Sequence, residues 1–121
     1  MKKLGFALLL CLSLILLNAC SNATFNGSST GNDTQFIMEY SILNTSDHRE
    51  MSLKTGDVID TTIVSDAGSV DILVENSAGE SIYSETNVPT SEFEIVISQD
   101  DTYTFTVTGH KAKGSVSFIK S

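Results

Sequence analysis

Few side chains in this 121-residue sequence have the type and spacing that chemistry requires. There are two cysteines, Cys11 and Cys20, two histidines, His48 and His110, and fifteen carboxylates. Neither histidine stands at motif spacing from a nucleophile or a second ligand, so each reads as a solvated turn residue. Asp57 and Asp60, Asp66 and Asp71, and Asp100 and Asp101 lie in or beside turn-forming stretches, where their oxygens could converge on calcium. That ion wants six to eight oxygens, however, and no calcium-loop pattern supplies them. Aspartate also favours turns for its own local hydrogen bonding. No Gly-x-Ser-x-Gly elbow, phosphate-cradling glycine loop or metal-binding histidine pair occurs. Thr102, Thr104, Thr106 and Thr108 share one face of a strand, which reads as a solvent face suited to threonine. Carbohydrate binding would ordinarily use stacked aromatics, and the chain has no Trp. The sequence thus points to a protein that is not an enzyme, with no catalytic residue, no metal ligand and no cofactor; any binding residues stay unassigned.

What remains is Cys20, and its surroundings give it a role. Lys2 and Lys3 precede the apolar run from Leu4 to Leu17, and small or polar residues follow at Asn18 and Ala19. That is the order of a cleaved export signal. The run is shorter than the roughly 20 residues a membrane-crossing helix needs. The tetrad Leu17-Asn18-Ala19-Cys20 resembles a bacterial lipobox, in which the thiol is acylated and the signal is cut just before the cysteine. The resemblance implies that residues 1–19 are a lipoprotein signal peptide, that Cys11 leaves with it, and that Cys20 carries the lipid. A lone thiol in an exported protein otherwise needs a partner. Two or three acyl chains hold a protein on a membrane, where a single chain does so only marginally. The expected location is the extracytoplasmic side of a cell membrane, with the lipid on Cys20 as the link to that membrane.

Loss of the signal changes the charge that matters. The full chain has a formal charge of −8; without Lys2 and Lys3, five Lys and Arg face fifteen Asp and Glu, which gives about −10. A chain so acidic repels phosphates, arguing against nucleic acid as a partner and against flat adsorption on a bilayer. Cationic partners are permitted. With Cys11 lost and Cys20 acylated, no disulfide is available, so burial must supply the stability.

Residues 20–34 form the next unit. After the cysteine, all but Ala23 and Phe25 are Ser, Thr, Asn, Gly or Asp. So little apolar surface predicts a flexible tether spanning about 20 Å. From residue 35 to 121 the apolar pattern has period two. Phe36, Met38, Tyr40 and Ile42 alternate with Ile37, Glu39, Ser41 and Leu43; Val70, Ile72 and Val74 alternate with Asp71, Leu73 and Glu75. Phe93, Ile95 and Ile97, then Tyr103, Phe105 and Val107, then Val116 and Phe118 are the inward-facing candidates of the later strands. Turn signals at Gly56, Gly68, Gly79, Pro89, Asp100 and His110 recur every ten to twelve residues, leaving no room for a crossover helix. The expected fold class is all-β: a small antiparallel β-sandwich, jelly-roll-like, of about seven or eight strands.

The runs Leu53-Lys-Thr-Gly-Asp-Val, Val70-Asp-Ile-Leu-Val, Ser81-Ile-Tyr and Asp101-Thr-Tyr-Thr-Phe-Thr-Val resemble the small β-sandwich modules of the pre-peptidase C-terminal and GOLD type. Asp101 stands where those modules usually have glycine. The resemblance implies an accessory or protein-interaction domain and carries no functional residues over. Two functions follow as expectations. One is a membrane-anchored surface lipoprotein whose non-enzymatic domain binds another envelope protein or polymer. The other is an acidic inhibitor or shield against a cationic hydrolase such as lysozyme.

Overall fold

The computed structural model of the protein describes residues 23–121, so the expected signal segment and Cys20 lie outside the described residues. Seven strands follow one another: β1 (Thr24–Asn32), β2 (Gln35–Asn44), β3 (Ser46–Leu53), β4 (Val58–Glu75), β5 (Ser81–Glu85), β6 (Ser91–Val96) and β7 (Asp101–Lys120). All pairings are antiparallel, and the strands form one sheet in the order β1-β2-β7-β4-β5, with β3 also on β7 and β6 also on β4.

The sandwich arises because β4 and β7 each serve two layers. The first halves of β4 and the last residues of β7 join β1, β2 and β6, whereas the second half of β4 and the start of β7 join β3 and β5. Phe105 and Phe118 show that the sheet is folded over. Thirteen residues of straight strand would separate them by about 43 Å, yet their ring centroids are 5.0 Å apart. The chain bends at a corner where β4 slips register twice, between Ser65 and Ala67 and again between Ala67 and Ser69. Gly68 (φ 64°) sits there, and a Cβ on it would collide with the carbonyl oxygens of His110 and Lys111. Opposite, β7 uses left-handed backbone at Lys111 (φ 50°) and Gly114 (φ 145°). The expected turns at Gly68 and His110 are therefore corrected to bulges inside two long strands, since bulges and turns demand the same backbone freedom.

Side chains from both layers meet in one core. Phe36, Met38, Leu43, Met51, Ile59, Ile63, Val70, Ile72, Val74, Phe105, Val107, Val116 and Phe118 are almost wholly buried. Alternation places them, as expected for the later strands, although Phe93 is only partly buried and packs on Tyr83. In β2 the alternation breaks, because a register shift between Tyr40 and Leu43 turns Leu43 inward and leaves Ile42 at intermediate exposure.

The largest difference from expectation is the stretch read as a flexible tether. Thr24–Asn32 is a strand, paired with β2 over nine register partners and exposed along almost all its length. Backbone hydrogen bonds to the edge of β2 order it without an apolar face. Its turn into β2 is held by Asn32, whose Oδ1 accepts from the Thr34 and Gln35 amides at 2.8 and 3.1 Å. Ser29 also donates to Asp47 of β3.

Candidate binding face

The outer surface of the β1-β2-β7-β4-β6 layer carries the side chains that alternate with the core. Asp60 on β4 stands directly opposite Glu94 on β6 and, on its other side, opposite Ile119 on β7. One step along, Thr62 stands between Glu92 and Ser117. Val58 faces Val96, which is 64% exposed, and Ile119 is 39% exposed. Asp60, Thr62, Glu92 and Glu94 also line a shallow hollow of about 300 Å³. Among the described residues no cation lies within ion-pair distance of Asp60, Glu92 or Glu94. Like charges directly opposite across a strand pair oppose folding. The face is thus acidic, rimmed by exposed aliphatic side chains, and without an ion-pair partner among the described residues.

The other aspartates of the expected calcium pairs do different work. Asp57 accepts the Lys54 amide at 2.8 Å and lies 3.6 Å from Lys120 Nζ. Asp100 accepts from the Thr55 amide and hydroxyl, at 2.8 and 3.0 Å, and these bonds hold its carboxyl below the usual range. Asp101 accepts from the Ser77 hydroxyl and the Thr102 amide, and its carboxyl is lowered for the same reason. Among the described residues no three His, Cys, Asp or Glu side chains group as a metal site.

Both histidines lie in strands rather than in the expected turns. His48 is on the outer face of β3, opposite Thr106. His110 lies at the corner, 2.8 Å from Asp71 through Nε2. Burial raises the Asp71 carboxyl, but the Asn87 amide, the His110 hydrogen bond and the His110 charge together leave it lowered. The threonines of β7 face outward between β3 and β4, and Thr108 shares a 2.7 Å hydroxyl pair with Ser46. A second, open hollow of about 560 Å³ lies near the corner and includes Asn26, Glu39, Tyr40, Asp66 and Lys113. The Tyr40 hydroxyl is buried without a hydrogen-bond partner among the described residues, and burial, then the Asp66 charge, pushes its pKa up to about 12.

No family model matches the sequence, and no curated protein matches it either. Solved structures match the chain at low identity and with TM-scores below 0.5. PliG of Aeromonas hydrophila, a periplasmic lysozyme inhibitor of g-type lysozyme, is 12% identical with a TM-score of 0.49, over 83% of this chain and 89% of that one. The pre-peptidase C-terminal domain of a collagenase from Bacillus anthracis is 11% identical with a TM-score of 0.44, over 82% and 89%. A structure of accessory secretory proteins 1, 2 and 3 from Streptococcus pneumoniae gives 10% identity and a TM-score of 0.42, over 84% and 90%. The likeness is one of β architecture alone.

Proposed function

We propose that the protein is a lipid-anchored, non-catalytic binding module of the extracytoplasmic envelope, which docks a cationic protein or polymer on the outer face of β4 and β6. The observation that carries this reading is the juxtaposition of Asp60 with Glu94, beside Glu92, with no cation among the described residues to offset them. A partner bearing Lys or Arg would relieve that repulsion, and Val96 and Ile119 would add apolar contact at the rim. The acylated Cys20 would hold the module at its membrane. The same face suits a cationic hydrolase, which is the second reading.

Lysozyme serves as a cationic probe for both readings. Backbone NMR titration of the mature Cys20→Ser chain should shift the amide signals around Asp60, Thr62, Glu92 and Glu94, with the shifts fading as salt rises. Shifts centred on Thr102 to Thr108 instead would overturn the assignment of the face. Loss of lysozyme activity in the mixture would favour the inhibitor reading over simple docking.

A further inference from the structure

β1 begins only four residues after Cys20, and that spacing limits where the domain can stand. Four residues reach at most about 14 Å however they run. Thr24 is paired with Asn44 at the corner end of the sheet, where the Asn44 side chain also accepts the Lys111 amide. The opposite end of β1, at the Asn32 turn, lies about 26 Å farther along the strand. An anchor on Cys20 therefore holds the corner close to the bilayer and leaves the Asn32 turn remote from it.

The two ends differ in chemistry. Two of the five lysines and arginines of the mature chain, Lys111 and Lys113, fall at the corner and are exposed. Phe25, 40% exposed, is the register neighbour of Leu43, which pairs with Ala112 between those lysines. The corner segments 65–69 and 109–114 contain one carboxylate, Asp66, and the nearby Asp71 is engaged by His110. At the far end, Lys120 donates its amide to the Thr34 carbonyl, and Ile119 lies between Gln35 and Asp60. Asp33, Asp57, Asp60, Glu94, Asp100 and Asp101 gather there against Lys54 and Lys120.

We infer that the corner end of the domain rests on the lipid surface that carries its anchor, with Phe25, Lys111 and Lys113 against the headgroups, so that the acidic face, farther along β4 and β6, stands clear of the membrane and open to its side. This inference rests on the acylation of Cys20. An aromatic ring and two ammonium groups suit an anionic headgroup layer. Although the whole chain is acidic, Lys111 and Lys113 stand at this end against Asp66 and Glu39, whereas the far end gathers six carboxylates against two lysines and is repelled toward solvent. The short connection thus keeps the acidic face clear of the bilayer and open to a partner.

The test uses the acylated chain in bicelles of phosphatidylcholine and phosphatidylglycerol containing a nitroxide-headgroup lipid. Amide signals of Ala67, Gly68, Lys111 and Lys113 should broaden strongly, while those of Asp33, Thr34, Thr55 and Gly56 keep their intensity. Lys111→Glu with Lys113→Glu should weaken the corner broadening, and unchanged signals at the Asn32 turn would verify its fold. Equal broadening at both ends, or none at the corner, overturns the inference and leaves the anchor standing. Fatty-acid labelling in cells decides the anchor separately: if wild type takes no more label than Cys20→Ser, the anchored reading falls and this one with it.

Discussion

Replacing Phe105 with alanine probes the folded-over core at the point where its two layers touch. The ring is fully buried and meets Phe118, from the other layer, at 5.0 Å with the planes tilted by 57°. Its strand is held on both sides, by β3 through Arg49 and by β4 through Val74, so the site cannot collapse freely around a missing ring. Loss of burial and the cavity left behind should cost about 3–5 kcal/mol. A small domain has about 5–15 kcal/mol in all. With a urea slope of about 1–3 kcal/mol per molar, the midpoint should fall by at least about 1 M. Thr106→Ala is the control, because that side chain is on the outer face between His48 and Leu73 and should matter by no more than about 0.5 kcal/mol. Urea melts of the mature Cys20→Ser chain, followed by circular dichroism, decide the matter. Equal damage from the two changes would mean that β7 is set one residue out of register and that the pairing of its two halves is wrong.

Two further outcomes follow from the corner and the turns. Gly68→Ala should destabilise by more than about 1 kcal/mol in the same melts, since it forces a side chain into left-handed backbone against two carbonyl oxygens, whereas Gly56→Ala, with open space around it, should cost less. Stability should also fall in acid. The Asp100 and Asp101 carboxyls are lowered in the fold, so their contribution is complete above the ordinary carboxylate pKa of about 3.9 and is lost as pH drops through the lowered values. Asp101→Asn should therefore be less stable than wild type at pH 7, with a deficit that shrinks as the solution is acidified below the ordinary carboxylate pKa, as read from thermal melts; a deficit that does not change with pH would assign the effect to packing.

How much of this was legible in the sequence varies with the physics of each element. The half of β7 that holds Tyr103, Phe105 and Val107 announced its buried face, because alternation with four threonines leaves only one register that hides the apolar side chains. β1 did not. Its order comes from backbone pairing with β2 and from the Asn32 turn, and neither leaves an apolar signature. Gly68 and His110 were visible as breaks, yet a positive-φ glycine ends a strand in a turn and bends one at a bulge with equal ease. The acidic face was hidden for another reason: Asp60 and Glu94 become neighbours only through the pairing of β4 with β6, thirty-four residues apart. Cys20 has a sequence signal alone, since it lies outside the described residues.

The central claim is that a cationic partner docks on the outer face of β4 and β6. Its most direct test is a photo-reactive amino acid placed in intact cells at Thr62, between Glu92 and Ser117, or at Thr106, on the opposite outer face. The account predicts a discrete adduct with a basic protein or polymer from Thr62, none from Thr106, and loss of the Thr62 adduct when Asp60, Glu92 and Glu94 are changed to Asn, Gln and Gln. An adduct from Thr106 alone, or one from Thr62 that survives neutralisation of all three carboxylates, would contradict it.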